Sequence, residues 1–151
     1  MAIHWGDEPE LELRHSSTRG DLPVRIYDSR LADPFNDTGP ISGGQTRNIF
    51  VDIWPPHTRV GVAAALTVTL TNTVGYGYLT VYPADLAVAP GVSTVNWSAG
   101  GLMLASGLVT RLGAAPSQQE PAWESRIAVD CVGGSTDFVI DLTAFWHLST
   151  L

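Results

Sequence analysis

Histidines, aspartates and a run of aromatic residues are the side chains here with chemistry to offer. His4, His15, His57 and His147 stand far apart in the chain, and no H-x-E, H-E-x-x-H or G-x-S-x-G arrangement surrounds them. Unrelated enzymes order a nucleophile, its base and its orienting group differently, so chain order alone does not decide the matter. With no motif present, the expectation is a protein that is not an enzyme. Asp28 and Arg30 sit two apart in "VRIYDSR". On a strand both would point to one face and form a charge-assisted pair. That pair reads as structural, because pairing is the normal state of a buried charge, rather than as an acid catalyst held by arginine. Asp52, Asp130, Asp137 and Asp141 offer oxygen ligands, yet no calcium-loop run of the D-x-[DN]-x-[DN]-G type joins them. They read as turn caps and acceptors for strand-end amides, and no metal is expected. Cys131 is the only cysteine, so neither an intrachain disulfide nor a thiolate cluster can form. No cofactor is expected.

The aromatic residues are more informative. "GYGYLTVYP" carries Tyr76, Tyr78 and Tyr82, and "STVNWSAGG" follows with Trp97. A ring with a polar tip suits both sugar stacking and subunit contact. Tyr76 and Tyr78 read as interface or ligand contacts before core. Trp97, Trp123 and Trp146 read as core first, interface second and glycan platform third, and Tyr82 and Trp97 join Tyr76 and Tyr78 as candidate interface or glycan contacts.

These side chains must be positioned by strands. Period-2 alternation recurs between clusters of Gly, Pro, Asn and Asp, and no stretch sustains a 3.6-residue period. The strands expected are "VRIYDSR", "TRNIFVDIW", "VAAALTVTLTN", "GYLTVYP", "STVNW", "LMLASGLVTRL" broken by Gly107, "SRIAVDCV" and "TDFVIDLTAFWHL". Leu66, Val68 and Leu70 alternate with Thr67, Thr69 and Thr71, a half-buried pattern. In the last strand Phe138, Ile140, Leu142, Ala144 and Trp146 oppose Val139, Asp141, Thr143 and Phe145. "ADPFNDTGPISGG" is expected as turns, since Pro34 and Pro40 remove ladder donors. The fold class is therefore all-β, an antiparallel, jelly-roll-like sandwich of about eight strands. The sandwich covers residues 23–148, behind an N-terminal arm of residues 1–22 and ahead of a tail of residues 149–151. In the arm Glu8, Glu10 and Glu12 alternate with Pro9, Leu11 and Leu13. Leu11 and Leu13 are the arm contacts expected if it adds a strand to a neighbour's sheet edge.

Composition narrows the partners. The net charge is −7 and all eight basic residues are arginine. No positive surface is expected to neutralise a run of phosphates, so nucleic acid is not an expected partner. Gly and Pro interrupt every apolar stretch before it could span a membrane. The first residues, "MAIHWGDEPELELRH", lack the basic and apolar regions of a Sec signal peptide.

Together, "VRIYDSR", the "GP" and G-x-T-R elements at Gly39, Pro40, Gly44, Thr46 and Arg47, "AALTVTLTNTVGYGYLTVYPA", "STVNWSAG" and "DFVIDLTAFW" form one ordered set. In that order they resemble an all-β domain family of actinobacterial surface and secreted proteins and of actinobacteriophage virion proteins, from about Leu22 to Trp146. Two departures stand out: "GLMLASGLV" lacks the asparagine common in the family's corresponding segment, and Ala144 replaces a usual glycine. The resemblance implies a non-enzymatic β-sandwich either appended to envelope proteins or built into phage particles; a stand-alone domain with an N-terminal arm and no secretion signal favours a structural or interaction subunit of a phage particle, in its tail, fibre or capsid surface, located in the virion. Its expected partners are further copies of itself, other virion proteins and a host cell-envelope glycan. The alternative it leaves open is a carbohydrate-binding module for actinobacterial envelope glycans, using Tyr76, Tyr78 and neighbouring tryptophans.

Overall fold

The computed structural model describes residues 11–14, 23–51, 60–113 and 125–148. They form strands β1 (Leu11–Arg14), β2 (Val24–Asp28), β3 (Ile41–Ser42), β4 (Thr46–Phe50), β5 (Val60–Pro83), β6 (Val95–Trp97), β7 (Leu104–Arg111) and β8 (Arg126–Leu148), with no helix among the described residues. All belong to one antiparallel sheet.

Its spine is a pair of very long strands. β5 and β8 run antiparallel from Val60 opposite Leu148 to Pro83 opposite Ile127. The free side of β8 takes β1, β2, β3 and β4 in turn, and the free side of β5 takes β7 along its first half and β6 along its second. Each long strand therefore serves two sheet halves, one flanked by β2 and β7, the other by β4 and β6. Buried residues of both halves merge into one core: Leu66, Val68, Ile140, Leu142 and Phe145 from the first meet Ile49, Leu79, Val81, Ile127 and Val129 from the second. The halves face each other as the two layers of a sandwich. Each such side chain contributes about 1.5–3 kcal/mol on burial, which is what holds the layers together.

The fold between the layers has a local cause. In β5, Asn72 and Thr73 together oppose Thr136, and Gly75 and Tyr76 together oppose Gly134, so the register shifts twice within a few residues. Extra residues of this kind bend a strand and increase its twist. The bend needs positive φ, at 55° for Asn72, 67° for Gly75 and 96° for Gly133. Close approach adds to the demand: a Cβ on Gly133 would strike the Tyr76 carbonyl oxygen, and one on Gly134 the Val74 carbonyl oxygen. Only glycine allows the two backbones to pass this closely.

Several expectations from the sequence are corrected by this architecture. "VAAALTVTLTN" and "GYLTVYP" are one strand, as are "SRIAVDCV" and "TDFVIDLTAFWHL", because the glycines between them bend the ladder without ending it. Gly107 does not break β7, where it pairs with Thr67. The turn segment ends in a short strand, Ile41–Ser42, just past Pro40, where no proline blocks the ladder. The alternation of the last strand changes phase at Thr143: Leu66 pairs with Leu142 but Ala65 with Ala144. This one-residue bulge turns Phe145 into the core and leaves Ala144 and Trp146 half-buried. The Thr143 hydroxyl donates to the Ala65 carbonyl at 3.0 Å across it. Within this chain the backbone of Leu11–Arg14 pairs with Phe145–Leu148.

Candidate functional site

At the crease the glycines leave a hollow of about 510 Å³, lined by Tyr76, Gly77, Tyr78, Asn96, Trp97, Ser98, Val132 and Gly133. The register explains how three strands meet there. Asn96 of β6, Tyr78 of β5 and Val132 of β8 are cross-strand partners in one row, and Trp97, Gly77 and Gly133 form the next. Asn96 and Val132 are exposed and Tyr78 is half-buried. Tyr76, carried on the bend itself, is 76% exposed.

Trp97 plays another part. A Cβ on Gly77 would strike the Trp97 ring, so the indole occupies the space that the glycine leaves empty. The ring is only 3% exposed, and its Nε1–H donates to the Val74 carbonyl at 3.2 Å. Trp97 is thus a core residue at the base of the hollow, and the open aromatic contacts are Tyr76 and Tyr78. Asn96 is held by its Nδ2–H donating to Ser93 Oγ at 3.0 Å.

Tyr82 parts company with the other tyrosines. The connector after β5 folds over it, and Tyr82 packs with Ala84, Ala128 and Ala89. Thr80 on the same strand donates from its hydroxyl to the Val92 carbonyl of that connector at 2.8 Å. The Tyr82 hydroxyl donates to Asp130 Oδ1 at 2.8 Å, an oxygen that also accepts from Thr46 Oγ1 at 2.6 Å. Burial, and then the neighbouring Asp130 carboxylate, push the Tyr82 phenol up to about 12. Tyr82 is buried and hydrogen-bonded, so it cannot serve as an open contact.

The charged residues are held in structural roles. Asp28 ends β2 and Arg30 lies in the turn beyond it, so the pair forms across an Asx-type turn rather than along a strand. Arg30 donates from Nε to Asp28 Oδ1 at 2.9 Å and from its terminal nitrogen to Oδ2 at 2.8 Å, and its backbone N–H also reaches Oδ1. The guanidinium hydrogen bond holds the Asp28 carboxyl below its ordinary range. Next to it, Ser29 Oγ donates to Asp137 Oδ1 at 2.8 Å and accepts the Phe138 N–H, and Asn72 Nδ2 donates to Asp137 Oδ2 at 3.1 Å. Asp141 accepts from Arg25 at 3.0 Å, and Asp85 accepts from Arg111 at 2.8 and 3.0 Å.

Arg47, from the G-x-T-R element, is almost fully buried. One terminal nitrogen donates to the Tyr27 hydroxyl and to the Gly39 carbonyl, each at 2.8 Å, while the Tyr27 hydroxyl donates to the Asp37 carbonyl at 2.7 Å. This ties the loop before β3 to the core. Cys131 is buried, and that burial raises its thiol to about 11, which suppresses the reactive thiolate.

Asp130, Asp137 and Asp141 do not converge, and no group of three or more His, Cys, Asp or Glu that could hold a metal occurs among the described residues. Asp52, Trp123, His4, His15 and His57 lie outside the described residues, and His147 is described only as backbone in β8. Leu11 and Leu13 are likewise described only through their backbone pairing. No helix among the described residues is long and apolar enough to cross a membrane.

Sequence reasoning picked out the tyrosines of this hollow but not Asn96, Ser98, Val132 or Gly133. The paired glycines after Val132 carried the missing signal, since glycine inside a strand pattern marks a bulge or a close backbone approach. No protein-family model matches the chain, and no curated protein is significantly similar to it.

Proposed function

We propose that this protein is a non-enzymatic structural and interaction subunit of an actinobacteriophage particle, a tail, fibre or capsid-surface component that assembles as a homo-oligomer and contacts other virion proteins. The observation that carries the assembly reading is β7. Among the described residues it pairs with β5 alone, and it runs for eight residues with no charge before Arg111. Its flank also presents Met103 at 74% and Val109 at 67% exposure. A long edge strand with little charge is a template for a further strand, and proteins that must stay monomeric usually guard such an edge with charge or proline. The side-chain chemistry supports the non-enzymatic reading: Asp28, Asp85, Asp137 and Asp141 are each engaged by an arginine or by neighbouring hydroxyl and amide groups. The resemblance noted in the sequence supplies the particle setting.

Light scattering with size-exclusion chromatography tests this reading. The purified protein is expected to be oligomeric, and Val109→Lys, which places a charge on the β7 flank, is expected to shift it toward monomer without altering its circular dichroism. A wild-type protein that remains monomeric at high concentration refutes the assembly.

A further inference from the structure

The particle reading does not account for Tyr76. Tyr76 is 76% exposed and sits on a bend set by positive-φ backbone, so nothing in the packing of the described residues calls for an aromatic side chain there. Tyrosine presents a large flat surface at small entropic cost, which is why it recurs at binding surfaces. Beside it the hollow offers the half-buried Tyr78, the oriented amide of Asn96, the exposed Ser98 and an apolar wall at Val132. Its volume of about 510 Å³ lies within the ~300–1,000 Å³ range of small-ligand clefts.

We infer that this hollow binds a neutral hexopyranose oligosaccharide, with Tyr76 and Tyr78 covering the sugar faces and Asn96 and Ser98 bonding its hydroxyls. The chemistry of the lining selects the occupant. None of the eight lining residues carries a charge, and the chain as a whole is at −7, so a uronic-acid or phosphate-bearing polymer finds no counter-charge. A pyranose with equatorial hydroxyls exposes C–H groups on its faces and hydroxyls around its rim. That matches rings flanked by an amide and a hydroxyl. An extended peptide fits less well, because the adjacent edge strand β6 has only three residues with which to form a ladder. The inference stands apart from the assembly reading, since the lining residues lie on or beside β5, β6 and β8 and none lies on β7.

Isothermal titration with cellotetraose and chitotetraose, and with polygalacturonate as the anionic comparison, tests it. The neutral oligosaccharides are expected to bind and polygalacturonate not to. Tyr76→Ala should weaken binding about tenfold, the loss of one aromatic stacking contact. Because Tyr76 is exposed, the variant is expected to melt with the wild type, so lost binding reads as a lost contact. Amide NMR shifts on titration should centre on residues 76–78, 96–98 and 132–133. Three results overturn the inference: no binding of either neutral oligosaccharide, equal binding by Tyr76→Ala, or shifts confined elsewhere. Light scattering of Tyr76→Ala separates the two readings. If the variant dissociates an oligomer while the wild type binds no sugar, the hollow is a subunit contact and the glycan site is refuted. If a monomeric wild type binds sugar, the glycan site stands and the assembly falls.

Discussion

The bend in β5 and β8 is held differently on its two flanks. Toward β2 it is stapled by side chains: Asp137 accepts from Ser29 and Asn72, Arg30 grips Asp28, and Arg47 reaches Tyr27 and the loop carbonyls. Toward β6 it relies on bare backbone, with Gly75, Gly77, Gly133 and Gly134 allowing close passage and the Trp97 indole filling what they leave open. The stapled flank has its polar groups paired with one another. The glycine flank leaves tyrosine, amide and hydroxyl groups facing outward. The contrast separates what maintains the fold from what is available for contact, although both flanks lie on the same two strands.

Substitutions can break this contrast. Gly133→Val attacks the bare backbone and should have the largest effect, about 4 kcal/mol of lost stability, by combining positive-φ strain with a clash against the Tyr76 carbonyl. Chemical denaturation measures it, and wild-type stability in this variant would show that the bend does not depend on glycine. Arg47→Leu attacks the stapled flank by removing the donor to the Gly39 carbonyl and the Tyr27 hydroxyl. It should cost about 2–3 kcal/mol, read as a drop in Tm of ~2–4 °C for each kcal/mol.

Tyr82→Phe sharpens the contrast beneath the connector. Losing the hydrogen bond to Asp130 should cost about 1.5 kcal/mol at neutral pH. The folded state raises this phenol, so its contribution is complete below the ordinary tyrosine range of about 10 and is lost as pH climbs through about 12. Wild type should therefore lose its advantage over Tyr82→Phe across that alkaline window, as followed by pH-dependent unfolding. Asp28 shifts in the opposite direction. Its folded carboxyl is held low by Arg30, so its contribution is present above the ordinary carboxylate range and disappears as pH falls through the lowered value. Asp28→Asn should lower stability at neutral and alkaline pH and converge with wild type in acid, flattening the acid limb of the stability profile. The smallest effect is expected at Tyr76→Ala, within about 0.5 kcal/mol of wild type, as at other exposed positions. A larger loss there would give the open flank a share in stability and erase the contrast.

Much of the fold was legible from alternation. Leu66, Val68 and Leu70 are buried with the threonines between them half-buried, as their alternation suggested. Alternation failed at Thr143, where one unpaired residue shifts the phase, because a bulge depends on how two strands meet and leaves no period in either one. It failed again at the glycine runs, which look like strand ends when read locally. The candidate site was half visible. Tyr76 and Tyr78 stood out by type, but their division from Tyr82 depends on a connector whose path no local pattern predicts.

The amino-acid sequence by itself determined the all-β class, the half-buried pattern of Leu66–Thr71, the lack of an intrachain disulfide and the acidic balance, since these follow from residue type and nearest-neighbour spacing. Only the tertiary structure decided that four expected strands are two bent ones, that Arg47 lies in the interior and that Trp97 fills the space beside a glycine. Those outcomes depend on contacts between residues distant in the chain, such as Gly77 with Trp97 and Tyr76 with Gly133, and a one-dimensional pattern does not encode which distant backbones will touch.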